Sequence, residues 1–237
     1  MGFFGGFLVA NEASAEGGYP KAEEIKPRIV PLPRAEWTDA SREVCAFWGE
    51  PNSWEEGSKT NIIMVMANHP ELGKVYNIWS KHLLMGNSLQ TRTLEIIILR
   101  VAWRVKSAYE WHNHVGYGLK AGLTLEEIGA LREATEAGGW NEQEVTVLRA
   151  VDELIDGGRI GDATWATLSG FYDRRQLMDL VFSIGHYVMT SWALTTMGVQ
   201  LESPDPIGFD LKTASGQVPG ASYKPMEVEN WTSTRGY

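Results

Sequence analysis

Apolar side chains recur every three or four residues from about Thr38 to Gly198, and that rhythm is helical. It is clearest after Pro70, where Leu72, Val75, Ile78, Trp79, His82 and Leu83 trace one apolar face. The next segment, "SLQTRTLEIIILRVAWRV", is β-branched enough to pass for a buried strand. Its length and the Leu94, Ile97, Ile98, Val101 spacing predict a buried helix instead, with Ser88 as its cap. A helix carrying "SAYEWHNHVGYG" follows and stops at Gly122, a natural left-handed end. Thr124 with Glu127, and Asn141 with Glu144, have the cap-plus-acid spacing that opens a helix. The first leads a helix through Leu131, the second one over Val145, Leu148, Val151 and Leu154. Asp162 starts a short helix through Trp165 and Leu168, and "RRQLMDLVFSIGHYVMTSWALTTMG" is a long one ending at Gly198. Upstream, Thr38 caps a helix through Val44, Phe47 and Trp48, "EPNSWEEGSKT" is a polar loop, and Ile62 to Ala67 is a short helix.

No segment reads as a convincing strand, so the expected class is all-α. Residues 1–36, with Pro20, Pro27, Pro31 and Pro33, read as an extended N-terminal arm. Short connections argue for one helical domain over 37–200, and Pro, Gly and Ser return in a C-terminal arm over 201–237.

Composition narrows the partners. The net charge of −9 and the lack of any basic cluster argue against nucleic acid. No apolar run reaches the roughly 20 residues a membrane helix needs. The start, "MGFFGGFLVANEASAEGG", has a short apolar stretch but no basic n-region, so a cytoplasmic chain is expected, with export the weaker alternative. Gly6 stands where a myristoylation motif requires Ser or Thr. Cys45 is the only cysteine, which leaves no intrachain disulfide, no redox pair and no cysteine-rich zinc site.

Candidate chemistry concentrates at Glu110, His112 and His114, in a chain with five histidines. On a strand His112 and His114 would face the same way and suit a metal. On a helix two residues span about 200°, so they diverge, and no metal site is expected. Glu110 and His114 are four apart and share a helix face. A carboxylate beside an imidazole raises its pKa and orients it, which suits proton transfer; the plain alternative is an ordinary i,i+4 pair. Glu95 in "TLEIIIL" is a carboxylate inside a buried helix and needs a partner. Arg92 or Arg100 would make it a structural ion pair; otherwise it is a group that tunes the acid–base pair.

The stretch "LEIIILRVAWRVKSAYEWHNHVGYGLKAGLTLEEIGAL" resembles the carboxymuconolactone decarboxylase and alkylhydroperoxidase D superfamily. The shared pattern is a Glu in an apolar helix, an "LRVA" step, a "YEW" and a His ahead of "KAGLT"; looser likeness extends over 61–200. Aligned on "KAGLT", the superfamily's histidine falls on His114 and the peroxidases' relay glutamate on Glu95. Their two redox cysteines fall on Ser107 and Glu110, so a disulfide-cycling peroxidase is not expected. The resemblance implies an all-helical, cofactor-free enzyme of the decarboxylase-like branch, assembled as a trimer or hexamer. Its reaction would be a lyase step on a small aromatic-derived or lactone acid. The alternatives are an isomerase or hydratase on the same pair, or a non-catalytic oligomeric scaffold. It implies His114 as general acid/base, Glu110 as its partner and Glu95 as a buried relay. Arg100 is then a candidate for a substrate carboxylate, and Tyr109, Trp111 and His186 for the pocket lining, beside Trp103 and Tyr187. The arms fall outside the resemblance. Phe3, Phe4, Phe7 and Leu8 in the first need a neighbour to cover them, which also suits a homo-oligomer.

Overall fold

In the computed structural model, residues 25–135 and 138–202 are described. Ten α-helices follow one another: α1 Asp39–Ala46, α2 Ser53–Glu56, α3 Asn61–Met66, α4 Pro70–Lys81, α5 Thr91–Arg104, α6 Ala108–Lys120, α7 Leu125–Ala130, α8 Glu142–Gly157, α9 Asp162–Phe171 and α10 Arg174–Met197. No strand occurs among the described residues, and no helix there is long and apolar enough to cross a membrane. Phe3, Phe4, Phe7, Leu8 and the C-terminal arm beyond Glu202 lie outside the described residues.

Helix α5 is the axis. Every residue from Leu94 to Ala102 is buried, as befits a helix surrounded by α6, α8 and α10. The main core gathers Leu94, Ile96–Leu99, Trp111, Val115, Leu148, Val151, Leu180 and Ile184 around it. A second apolar cluster joins α1 and α3 to Tyr109, Leu194 and Val199, and holds Cys45 fully buried.

Most helix starts follow the sequence. Capping boxes form at Thr38/Ser41, Thr124/Glu127 and Asn141/Glu144. Gly122, at φ 88°, takes the left-handed conformation just past α6. Three features differ. Helix α5 starts at Thr91, not after Ser88; the backbone and hydroxyl of Ser88 instead donate to Asp179 of α10, at 2.7 and 2.5 Å. The loop after α1 contains the short α2, and Asp173 with Gln176 forms a further capping box at the head of α10.

The third difference is the orientation of α4. Its buried residues are Gly73, Asn77 and Ser80, whereas Val75 and Ile78 are 66% and 63% exposed. A Cβ at Gly73 would lie 2.9 Å from Val44 Cγ1, so the glycine allows α4 to approach α1. Asn77 is satisfied inside, donating to Val44 O at 3.0 Å and accepting from Trp48 Nε1 at 3.1 Å. Leu72, Val75 and Ile78 of the apolar stripe read from the sequence therefore face outward, and only Leu83 at its far end is fully buried.

Candidate active site

Helix α6 supplies the first two groups. The Ser107 hydroxyl caps it by accepting from Glu110 N at 3.4 Å, which seats Glu110 in the first turn and His114 one turn later. Glu95 reaches the same point from α5. His114 Nδ1 lies 2.8 Å from Glu95 Oε2, and His114 Nε2 lies 3.4 Å from Glu110 Oε2. One imidazole is thus bracketed by two carboxylates, all three residues at 3–7% exposure. The carboxylates meet opposite nitrogens of the ring rather than a shared point. Among the described residues, no group of three or more His, Cys, Asp or Glu has an arrangement that could hold a metal.

Burial sets the electrostatics. Glu110 is pushed up to about 7, chiefly by loss of solvent, with the His114 charge opposing and Glu95 adding to the rise. Burial also disfavours the His114 imidazolium. The charge and hydrogen bond of Glu95, with Glu110 behind them, outweigh it and raise the histidine above its ordinary value. The Glu95 carboxylate fixes the proton on Nδ1. Nε2 then either accepts from a protonated Glu110 or, as imidazolium, donates to its carboxylate. With Glu110 raised to about 7 and His114 raised above its ordinary value, the two share one exchangeable proton.

Helices α10 and α4 close the site. Tyr187 meets the His114 ring edge-on at 5.3 Å, and Tyr117 lies 5.4 Å from it. His186 packs against Tyr187 at 5.1 Å and Tyr76 at 5.7 Å, and its Nε2 lies 3.4 Å from Ser80 Oγ. Burial, and then the His114 charge, hold His186 down at about 4, so it is neutral. Burial, and then the Glu110 charge, push the Tyr76 phenol up to about 12.

The structure thus brings Glu95, Glu110, His114, His186 and Tyr187 together, and leaves the other candidates elsewhere. Arg100 does not pair with Glu95 or face His114. It binds Asp152 at 2.9 and 2.7 Å and the carbonyls of Leu131 and Glu133, pinning α5 to α8. Arg92 is likewise taken by Glu144, Glu127 and the Gly122 carbonyl. Trp111 is fully buried in the main core against Trp103, so its ring has no surface for a ligand. Tyr109 belongs to the second cluster, donating to Glu202 and accepting from Ile62 N at 3.3 Å. His112 is half-buried on another face of α6, where burial lowers its pKa and the Glu202 charge opposes this. Tyr117, Tyr76 and Ser80 are the participants that sequence reasoning missed. For Tyr76 and Ser80 the signal was a second stripe on α4, Gly73–Tyr76–Asn77–Ser80, at helical spacing.

With that geometry, likeness to known proteins becomes informative. Residues 70–153 match the model of the Carboxymuconolactone decarboxylase family, a span that includes Glu95, Glu110 and His114. That matched segment is similar to the carboxymuconolactone decarboxylase family, and it covers about a third of the chain. Solved structures share the fold at low identity. An uncharacterized peroxidase-related protein from Silicibacter sp. TM1040 aligns with TM-score 0.61 and 16% identity, over 74% of this chain and 92% of its own. An uncharacterized peroxidase-related protein with an alkylhydroperoxidase AhpD core, from Ralstonia eutropha JMP134, aligns at 0.61 and 12%, over 73% and 92%. A cysteine-to-alanine variant of the debrominase Bmp8, in complex with a tribromopyrrole, aligns at 0.59 and 15%, over 76% and 94%. Among curated proteins none matches the chain. Within this AhpD-like fold, the chain has Ser107 as a helix cap and Glu110 as an acid, and its one thiol, Cys45, lies in the other apolar cluster.

Proposed function

We propose that this chain is an acid–base enzyme of the carboxymuconolactone decarboxylase type, a lyase that breaks a C–C or C–O bond in a small aromatic-derived or lactone substrate. The observation that carries the reading is His114 held between Glu95 and Glu110 in the protein interior. A merely structural ion pair needs one carboxylate. A second, raised to about 7, supplies a proton that is mobile at neutral pH. In this reading Glu95 orients His114, and Glu110 with His114 Nε2 delivers the proton to the carbon or oxygen left by cleavage. The same groups serve isomerisation or hydration, which differ only in where that proton goes. The brominated pyrrole bound by one structural neighbour accords with small planar substrates in this fold.

The working unit in this reading is a homo-oligomer, a trimer or hexamer. Leu72, Val75 and Ile78 on α4, with Phe182, Met189 and Trp192 on α10, lie exposed, and Trp79 edge-on to Phe182 joins the two helices. An apolar surface continuous across two helices suits a second copy of the chain better than water. The test of function is a turnover screen of lactone acids and lignin-type aromatics, run beside His114→Ala. We expect the variant to lose at least about 10²-fold in turnover. Equal turnover in the two proteins would refute the reading.

A further inference from the structure

Helix α10 carries four buried polar atoms with no hydrogen-bond partner among the described residues, and two of them stand beside the acid–base groups: the Tyr187 hydroxyl and His186 Nδ1, on residues 3% and 5% exposed. Leaving such a group unsatisfied costs roughly 1–3 kcal/mol, and buried polar atoms are otherwise almost always paired. Here both occur side by side, on rings in contact with each other, and Tyr187 also touches His114. Tyr172 and Trp140 also carry unpartnered polar atoms, but it is the contact of Tyr187 with His114 that places this pair at the acid–base groups.

Charge decides what would satisfy them. The charged neighbours acting on Glu110 and His114 are Glu95, Glu202 and each other, with no Lys or Arg among the described residues contributing. With two carboxylates and no Lys or Arg contributing, a full negative charge on the one oxygen that meets Tyr187 and His186 is not favoured before reaction. Neutral donors in such a place suit an oxygen that enters uncharged and gains negative charge during the reaction, a carbonyl becoming an enolate. Burial, with the charges of Glu110 and Glu95, raises the Tyr187 phenol well above its ordinary value, so it keeps its proton and can donate. Neutral His186 donates from one ring nitrogen only.

We propose that Tyr187 and His186 form an oxyanion subsite, and that the substrate carries a carbonyl conjugated to the carbon at which His114 and Glu110 act. This rests on the acid–base reading of that site. In the decarboxylating case the C–C bond to the carboxylate breaks and its electron pair moves onto the carbonyl oxygen. Carbon dioxide leaves, and the Tyr187 hydroxyl hydrogen-bonds the enolate. The proton from the Glu110–His114 pair then adds to carbon as the carbonyl re-forms, so one proton is taken up for each carbon dioxide released.

The test uses a mimic and needs no turnover. A para-substituted phenol such as para-nitrophenol presents an oxygen of intermediate charge on a planar ring, and its absorbance reports its ionisation. We expect the wild-type protein to bind it, and Tyr187→Phe, which keeps the ring packing, to weaken binding by about 10-fold or more, in line with the loss of one strong hydrogen bond. His186→Phe should weaken it less. His114 in Tyr187→Phe should titrate as in the wild type, which separates this outcome from damage to the acid–base pair. No binding by the wild type, or equal binding by Tyr187→Phe, would overturn the subsite. Binding that depends on Tyr187, found together with unimpaired turnover in His114→Ala, would retain the subsite and refute the acid–base reading instead.

Discussion

Replacing Glu95 by Gln tests the electrostatic core of the site. The substitution keeps size and a hydrogen-bonding oxygen at the position 2.8 Å from His114 Nδ1, but removes the charge. Two unit charges about 4 Å apart interact by roughly 4 kcal/mol at an effective dielectric near 20, equivalent to about 3 pKa units. Solvent relaxation takes part of that back, so His114 should fall by about 1–3 units. Burial still disfavours the imidazolium, and only Glu110 at 3.4 Å then supports it, so the histidine should drop below its ordinary value. The sign for stability follows. A histidine raised in the folded state contributes stability that is fully present below its unfolded pKa of 6.5 and is lost as pH rises through the folded one. Wild type should therefore lead Glu95→Gln most clearly in mild acid, and the lead should narrow with rising pH. Titration of the His114 ring by NMR, with urea unfolding at several pH values, measures both. Glu110→Gln should shift His114 less, because its contact is longer and it is itself half-protonated near pH 7. If Glu95→Gln left His114 unmoved, or Glu110→Gln moved it further, the assignment of Glu95 as the orienting group would be wrong.

Two other outcomes are expected. Arg100→Leu should destabilise by about 3 kcal/mol in urea unfolding, the low end for a broken buried pair, because Arg104 still holds Asp152; His114 should titrate unchanged. Val75→Glu, at an exposed position of α4, should leave a monomer's stability within about 0.5 kcal/mol, yet break an oligomer; a fall in mass by light scattering supports the interface, and an unchanged mass argues against it.

Local signals in the sequence proved readable and nonlocal ones did not. Thr124 and Glu127, or Asn141 and Glu144, are close enough in the chain that their spacing alone determines the contact. The same holds for Glu110 and His114, which share a face because four residues make about one turn of helix. Glu95 and His114 lie 19 residues apart on different helices, so their meeting depends on how α5 packs against α6. No periodicity encodes that angle, and the Arg92 and Arg100 alternatives for Glu95 stayed open until the structure showed both arginines committed to α7 and α8 or to carbonyls beside them. Tyr109 and Trp111 show the reverse error. Nearness in sequence to Glu110 suggested a shared pocket, but neighbours on a helix diverge by about 100° and enter different cores.

The outward apolar stripe of α4 and the polar atoms within α10 have one origin. A helix that walls the proposed site turns polar groups inward, and α4 presents Ser80 there while α10 presents His186 and Tyr187. The apolar residues that such a helix still carries then have no place in the protomer's own core. Ile78 and Trp192 consequently remain outside, where only another surface can cover them. Of the buried residues of α4, Gly73 and Asn77 serve the contact with α1, and Ser80 meets His186. The inverted face is thus shared between helix packing and the candidate site, and under the proposed reading its exposed Val75 and Ile78 are what a second copy of the chain would cover.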